Sequence, residues 1–263
     1  MKSKYLNIVV IFLLVAGFSL KCLGQSATES SIVKEKFLEA NKLYNNSKYE
    51  QSIELYFQIL VSGVHSSELY FNIGNAHYRL NDIANSILFY ERSLKLNPFD
   101  NDVTNNLNMV KNSLIDDIAM VPPSFIDEQL NTISNLLDYS SWGKVLILLS
   151  FIFLILFVVY FFSNKPITKR TAFTSLFFII IVIALTLWIS LNAYQNNYLE
   201  KYAIIFSTKI EVKTDPNERS DNLLTLHLGT KVKVIDNFNV DWIKIKLVNG
   251  QEGWIKKNEI KII

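Results

Sequence analysis

Three stretches of the chain carry almost no polar side chains, and they frame everything between them. Residues 8–20 form a short apolar run behind Lys2 and Lys4. That is too short to cross a bilayer and suits the core of an export signal. The run ends at Lys21-Cys22-Leu23-Gly24-Gln25, where Cys22 and Gly24 occupy the small-residue positions before a cut. Residues 1–24 are therefore expected as a signal peptide, with Gln25 first in the mature chain. Lys21 stands where a lipoprotein signal has a small residue, which disfavours lipidation at Cys22; uncleaved anchoring stays open. Residues 145–162 contain polar atoms only at Ser150 and Tyr160, and residues 172–191 contain no charge. At 1.5 Å per residue these runs are about 27 and 30 Å long, matching a hydrocarbon core of about 30 Å. Helices apolar on every side for that length predict two transmembrane segments, residues 144–163 and 172–192.

Between the two spans, residues 164–171 are expected as a short loop. The connection Ser163–Thr171 carries Lys165, Lys169 and Arg170 and no acid. A basic connection of this length is expected in the cytoplasm of a bacterial inner-membrane protein. Both flanking regions then face the periplasm, in agreement with the export signal. Trp142, Trp188 and Tyr194 fall near the expected outer interface, where amphipathic rings are favoured. Neither apolar run, 145–162 or 172–191, contains Asp, Glu, His, Lys or Arg, so an ion path or proton relay has no residues to run through. The hairpin reads as an anchor or a partner-binding surface.

Ahead of the spans the pattern is helical and repeats every 34 residues. Ala40 corresponds to Gly74, Asn41 to Asn75, Tyr44 to Tyr78, Ser52 to Ser86, Ile53 to Ile87, Tyr56 to Tyr90 and Leu60 to Leu94. This spacing resembles the tetratricopeptide repeat, with 69–78 and 86–94 as the two helices of one copy and Asn97-Pro98 closing it. Ser86, Ser93 and Gly74 keep the close-packing positions small. Asp102–Leu114 reads as a third amphipathic helix, with Val103, Leu107 and Val110 on one side, so repeats and cap span residues 33–115. The resemblance implies a groove for an extended peptide or a partner helix, lined by Asn41, Tyr44, Phe71, Asn75 and Tyr78. Packing between helices is an equal alternative for Tyr44 and Tyr78. Asp102 and Asn106 stand where some relatives carry a carboxylate-gripping Lys and Arg, which argues against such a clamp. Residues 121–141 form a juxtamembrane linker. Val121-Pro122-Pro123 breaks the helix there, and Ile126, Leu130, Ile133 and Leu137 then follow at helical spacing. That segment lies on the membrane or packs on the repeats.

After the spans the period changes to two. Residues 230–235 alternate Lys with Val, and Ile243, Ile245 and Leu247 share one face of a second run. Asn249-Gly250 between two such runs is a hairpin signal. Gly229, Trp242, Gly250 and Gly253-Trp254 together resemble a bacterial SH3-like domain over residues 201–263, an all-β small barrel. Trp242 and Trp254 are its candidate ligand surface, as aromatics are in SH3 recognition; core packing is the alternative and is favoured for Trp254.

Charge and composition add exclusions. The chain has 26 basic and 24 acidic residues, a net of +2. No basic cluster of the kind that binds nucleic acid stands out. From residue 25 to 139 there are 8 basic and 15 acidic residues, and from 195 onward 11 and 9. The single cysteine, Cys22, excludes a disulfide framework. His65, His77 and His227 are scattered without metal-ligand spacing, the eight glycines form no phosphate loop, and no GxSxG elbow occurs. The chain is expected to be no enzyme and to hold no metal or cofactor.

The order of signal, repeats, membrane hairpin and SH3-like module resembles the BatE family of bacterial aerotolerance (Bat) operons. The carrying segments are Ala40-Asn41-Lys42-Leu43-Tyr44, residues 69–78, residues 87–98, and Leu226-His227-Leu228-Gly229-Thr230-Lys231-Val232. That resemblance implies a membrane-anchored scaffold acting with other Bat membrane proteins, including ones with von Willebrand factor A-like domains, and linked to oxygen tolerance and envelope stress. The competing reading is a peptidoglycan-binding or wall-sensing protein that uses its SH3-like module.

Overall fold

The computed structural model describes residues 26–116, 118, 124–134, 136–137, 139–195 and 200–263. The signal peptide expected at residues 1–24 and the Val121-Pro122-Pro123 break lie outside them. The chain forms two compact units, divided between His65 and Ser66.

The first unit holds helices α1 (Ser26–Asn45) and α2 (Tyr49–Val61). They close on Ala40, Ser52, Tyr56 and Ile59, all essentially without solvent contact. Ser52 Oγ donates to the Ala40 carbonyl at 2.9 Å, so a serine at this crossing satisfies itself without adding bulk.

The second unit begins with α3 (Ser67–Arg79), α4 (Ile83–Leu96) and α5 (Asn101–Lys111). Each starts at a side-chain cap: Ser66, Asp82 and Asp100 accept from backbone N–H groups of the first turn. The 34-residue period survives in the geometry. Ser47 and Asn81 both sit in the left-handed region at the interhelical turns, with φ of 60° and 57°. Lys48 N donates to Leu43 O and Asp82 N to His77 O, each at 2.9 Å. Gly74 lets α3 approach α4, since a Cβ there would lie 2.7 Å from the Tyr90 ring. Helix α5 buries Val103, Leu107 and Val110, the stripe visible in the sequence.

Helices α6 (Phe125–Ser134), α7 (Tyr139–Phe162) and α8 (Pro166–Tyr194) follow. The last two are long and apolar enough to cross a membrane, with mean hydropathy 3.2 and 2.6. They pack on each other and leave most of their apolar side chains exposed, which sets them apart from core helices of a soluble fold. The loop expected at residues 164–171 is corrected: helix α8 already begins at Pro166, so Lys169 and Arg170 lie in its first turns. Proline suits that place because a first-turn N–H has no intrahelical partner to lose.

The C-terminal module is a seven-stranded antiparallel sheet in the order β3-β2-β6-β5-β4-β1-β7. Its strands are β1 (Lys201–Ile205), β2 (Lys209–Lys213), β3 (Asn222–His227), β4 (Lys231–Asn237), β5 (Trp242–Lys246), β6 (Glu252–Lys256) and β7 (Ile260–Ile262). Gly250 turns β5 into β6 at φ 85°, the conformation the Asn-Gly pair foretells. One face of the sheet folds over a core of Ala203, Ile205, Val232, Ile243, Ile245 and Ile255. Ile204 points the other way, into the cluster formed by Ile87, Tyr90, Leu107 and Val110 of α4 and α5.

Candidate functional sites: the repeat face, the module junction and the outer sheet face

The predicted groove residues divide between the two units. In the first, the Tyr56 hydroxyl donates to Asn41 Oδ1 at 2.5 Å, and Tyr44 stacks edge-on against Tyr49 at 5.3 Å. In the second, Phe71, Asn75 and Tyr78 line up on α3 at helical spacing. The hydroxyl of Tyr90 donates to Asn75 Oδ1 at 2.7 Å, the same bond 34 residues on. Asn106 Nδ2 donates to the same oxygen at 2.9 Å. Asn75 thus ties three helices together and is a structural residue as much as a contact one. Phe71 is half-buried, 5.9 Å from the Tyr90 ring. Tyr78 is exposed, its hydroxyl 3.5 Å from the sulfur of Met109, which is exposed as well. The accessible part of this face is Tyr78 with Met109. Met109 is the residue the sequence reading missed, although it stands 34 positions after Asn75.

No sequence signal marked the second site, the junction of repeats and sheet. Glu91 of α4 has a side chain only 8% exposed and accepts from Lys111 of α5 at 2.8 Å and from Lys231 of β4 at 2.7 Å. Burial pushes its carboxyl up, but the charges and hydrogen bonds of Lys231 and Lys111 outweigh this and hold it below its ordinary range. Asp116, beyond α5, accepts from His227 N, His227 Nδ1 and Thr230 Oγ1, each at 2.6 Å. Burial raises this carboxyl as well, and the Thr230 and His227 bonds bring it below the usual value. Arg92 donates to the Ile262 carbonyl at 2.8 Å. Gly229, at φ 89°, packs directly on Leu114 and Ile87, with no room for a Cβ. Lys231 also sits 4.6 Å above the ring of Tyr202, whose hydroxyl donates to Glu200. Burial and that carboxylate push the Tyr202 phenol far up. Between α5 and the sheet lies a cleft of about 740 Å³ bordered by Asn108, Lys111, Leu114, Lys231, Lys246 and Val248.

The third site is the outer face of the sheet. Register pairs Trp242 with Lys256 and Lys244 with Trp254, so both tryptophans point away from the core. Trp242 is nevertheless buried, at the bottom of a pocket of about 340 Å³ edged by Lys209, Lys213, Lys256, Glu211 and Glu259. Trp254 is half-buried and packs edge-on against the exposed Phe238 at 5.6 Å. The core placement favoured for Trp254 is therefore corrected. On β6 the inward positions belong to Gly253 and Ile255, and Val212 fills the space over Gly253. Among the described residues no three His, Cys, Asp or Glu side chains converge as metal ligands.

Comparison with known proteins matches this geometry module by module. The tetratricopeptide repeat family matches residues 67–100, and the bacterial SH3 domain family matches residues 209–261. One curated relative is the cell wall-binding protein YwsB of Bacillus subtilis, 31% identical over 72 residues. The match covers 27% of this chain and 40% of the length of YwsB. The chain combines a helical repeat region, two long apolar helices and an SH3-type sheet.

Proposed function

We propose that the protein is a membrane-anchored adaptor without chemistry of its own, which presents its repeat face and its SH3 domain to partners on one side of the membrane. The junction carries this reading. Lys231, His227 and Thr230 follow the membrane hairpin in sequence, whereas Glu91, Lys111 and Asp116 precede it, and their direct bonds support a reading with both modules on the same face. Lys165, Lys169 and Arg170 at the far turn of the hairpin favour the cytoplasm for that turn and the periplasm for the modules. Tyr78 and Met109 supply the exposed aromatic and thioether surface for a protein partner. In the Bat-type reading that partner is a membrane protein with a von Willebrand factor A-like domain, and the role is in oxygen tolerance. The test is cross-linking of the intact protein in native membranes. Tyr78→Ala with Met109→Ala should lose the von Willebrand-type partner while the helical circular dichroism stays unchanged. Undiminished capture by the folded variant contradicts the adaptor reading.

A second reading, wall binding, is favoured by the similarity to YwsB and by the exposed Phe238–Trp254 pair. Purified full-length protein in mild detergent should then co-sediment with isolated peptidoglycan, and Trp254→Ala should abolish it. No co-sedimentation of the parent protein counts against this reading.

A further inference from the structure

Helix α6 carries an apolar stripe that the described residues leave largely exposed. Ile126, Leu130 and Ile133 share one side at helical spacing, with Phe125 at its edge and Glu128 and Asn131 opposite. Phe125 is 75% and Ile126 68% exposed, and Leu136 and Leu137 extend the stripe past the helix end. The far end of α6 is fastened to the membrane hairpin. Ser134 is buried, its carbonyl accepts from Trp142 Nε1 of α7 at 3.0 Å, and its hydroxyl accepts from Asn192 Nδ2 of α8 at 3.2 Å. Beside this joint the rings of Tyr139 and Tyr194 meet at 5.0 Å. Tyr and Trp at the ends of apolar helices mark the level of the lipid headgroups. A helix bolted at that level, with one face apolar and exposed, has the lipid interface as its neighbour.

We propose that α6 is an interfacial helix, its Phe125–Ile126–Ile133 side seated in the outer boundary of the same bilayer that α7 and α8 cross. Its lipid contact comes from apolar burial alone: Asp127 and Glu128 are its only charged residues, so it has no cation to attract anionic headgroups. The inference rests on the membrane reading of α7 and α8, and a control separates the two. In full-length protein carrying Cys22→Ser, single cysteines are introduced at Phe125, Ile126, Ile133, Glu128 and Asn131, and at the exposed Leu154 of α7. Each variant is spin-labelled and reconstituted into phosphatidylcholine vesicles, and its accessibility to oxygen is compared with that to a water-soluble nickel chelate. The ratio should be high at positions 125, 126, 133 and 154 and low at 128 and 131. Exchanging part of the lipid for phosphatidylglycerol should not deepen the α6 labels. A lipid-like Leu154 label with aqueous labels all along α6 overturns the inference alone. Labels at 125, 126 and 133 shielded from both reagents overturn it in favour of a protein cover. An aqueous Leu154 label overturns the membrane reading and the inference together.

Discussion

Replacing Glu91 with Gln removes a carboxylate that two lysines from different modules share. The Glu91 side chain is 8% exposed, while Lys231 and Lys111 are 31% and 37% exposed. A glutamine fills the same volume and accepts from one lysine, but it turns its amide toward the other. Breaking a fully buried ion pair costs about 3–5 kcal/mol because the surviving charge is stranded. Both ammonium groups here reach water, so the expected loss is nearer about 2–3 kcal/mol. Urea unfolding of the full-length protein in mild detergent, followed by tryptophan fluorescence, should report that loss as a lower midpoint. Lys231→Met leaves Glu91 still paired with Lys111 and should cost less. The double variant should cost less than the sum of the two, by about 0.5–3 kcal/mol, as expected for residues in direct contact. Glu211, whose side chain is 50% exposed and pairs with Lys213 at 3.2 Å on β2, serves as the comparison; Glu211→Gln should move the midpoint less than Glu91→Gln. A Glu91→Gln midpoint indistinguishable from that of the parent, or strict additivity in the double variant, would refute the reasoning.

Acid should open the same junction. Glu91 and Asp116 have carboxyls held below their unfolded values of about 4.3 and 3.9. Their contribution is present above those values and is lost as pH falls through the folded ones, so midpoints measured from pH 6 to 3 should drop more for the parent than for Asp116→Asn. His77 acts at higher pH. Burial lowers its imidazole, Asp82 opposing, and Nε2 has no hydrogen-bond partner among the described residues. Between its folded value and about 6.5 the unfolded chain binds more protons, so stability should fall on acidification below pH about 6.5 and this slope should vanish in His77→Phe. Gly74→Ala should destabilise by about 1–2 kcal/mol despite better helix propensity, because the Tyr90 ring it meets is fixed by its bond to Asn75; a stabilised variant in thermal unfolding would contradict the packing argument.

Periodicity made the helices and strands legible because each period reports one buried face. The 34-residue offset paired residues that make the same bond in each copy, Tyr56 to Asn41 and Tyr90 to Asn75. It could not tell a structural asparagine from a binding one, since Asn75 does its packing work with the same polar atom a ligand would use. Trp254 was misread because the small residue beside it, Gly253, takes the inward position on β6, and only the register reveals which of the two neighbours points to the core. The start of α8 at Pro166 was hidden by charge: Lys169 and Arg170 look like loop residues but ride on the first turns of the helix. The junction was invisible for a different reason. Glu91 and Lys231 are 140 positions apart with the hairpin between them, and a single Glu or Lys on an amphipathic element normally marks a solvated face.

In the proposed topology the hairpin returns the chain to the side it left, so that the repeats and the sheet can join. Cysteines placed singly at the exposed Asp102, Val240 and Asn164 in a Cys22→Ser chain, probed with a membrane-impermeant thiol reagent on spheroplasts and on inverted vesicles, test it most directly. The proposed topology predicts labelling of Asp102→Cys and Val240→Cys from the outside only and of Asn164→Cys only in inverted vesicles. Labels on Asp102→Cys and Val240→Cys from opposite sides would contradict it.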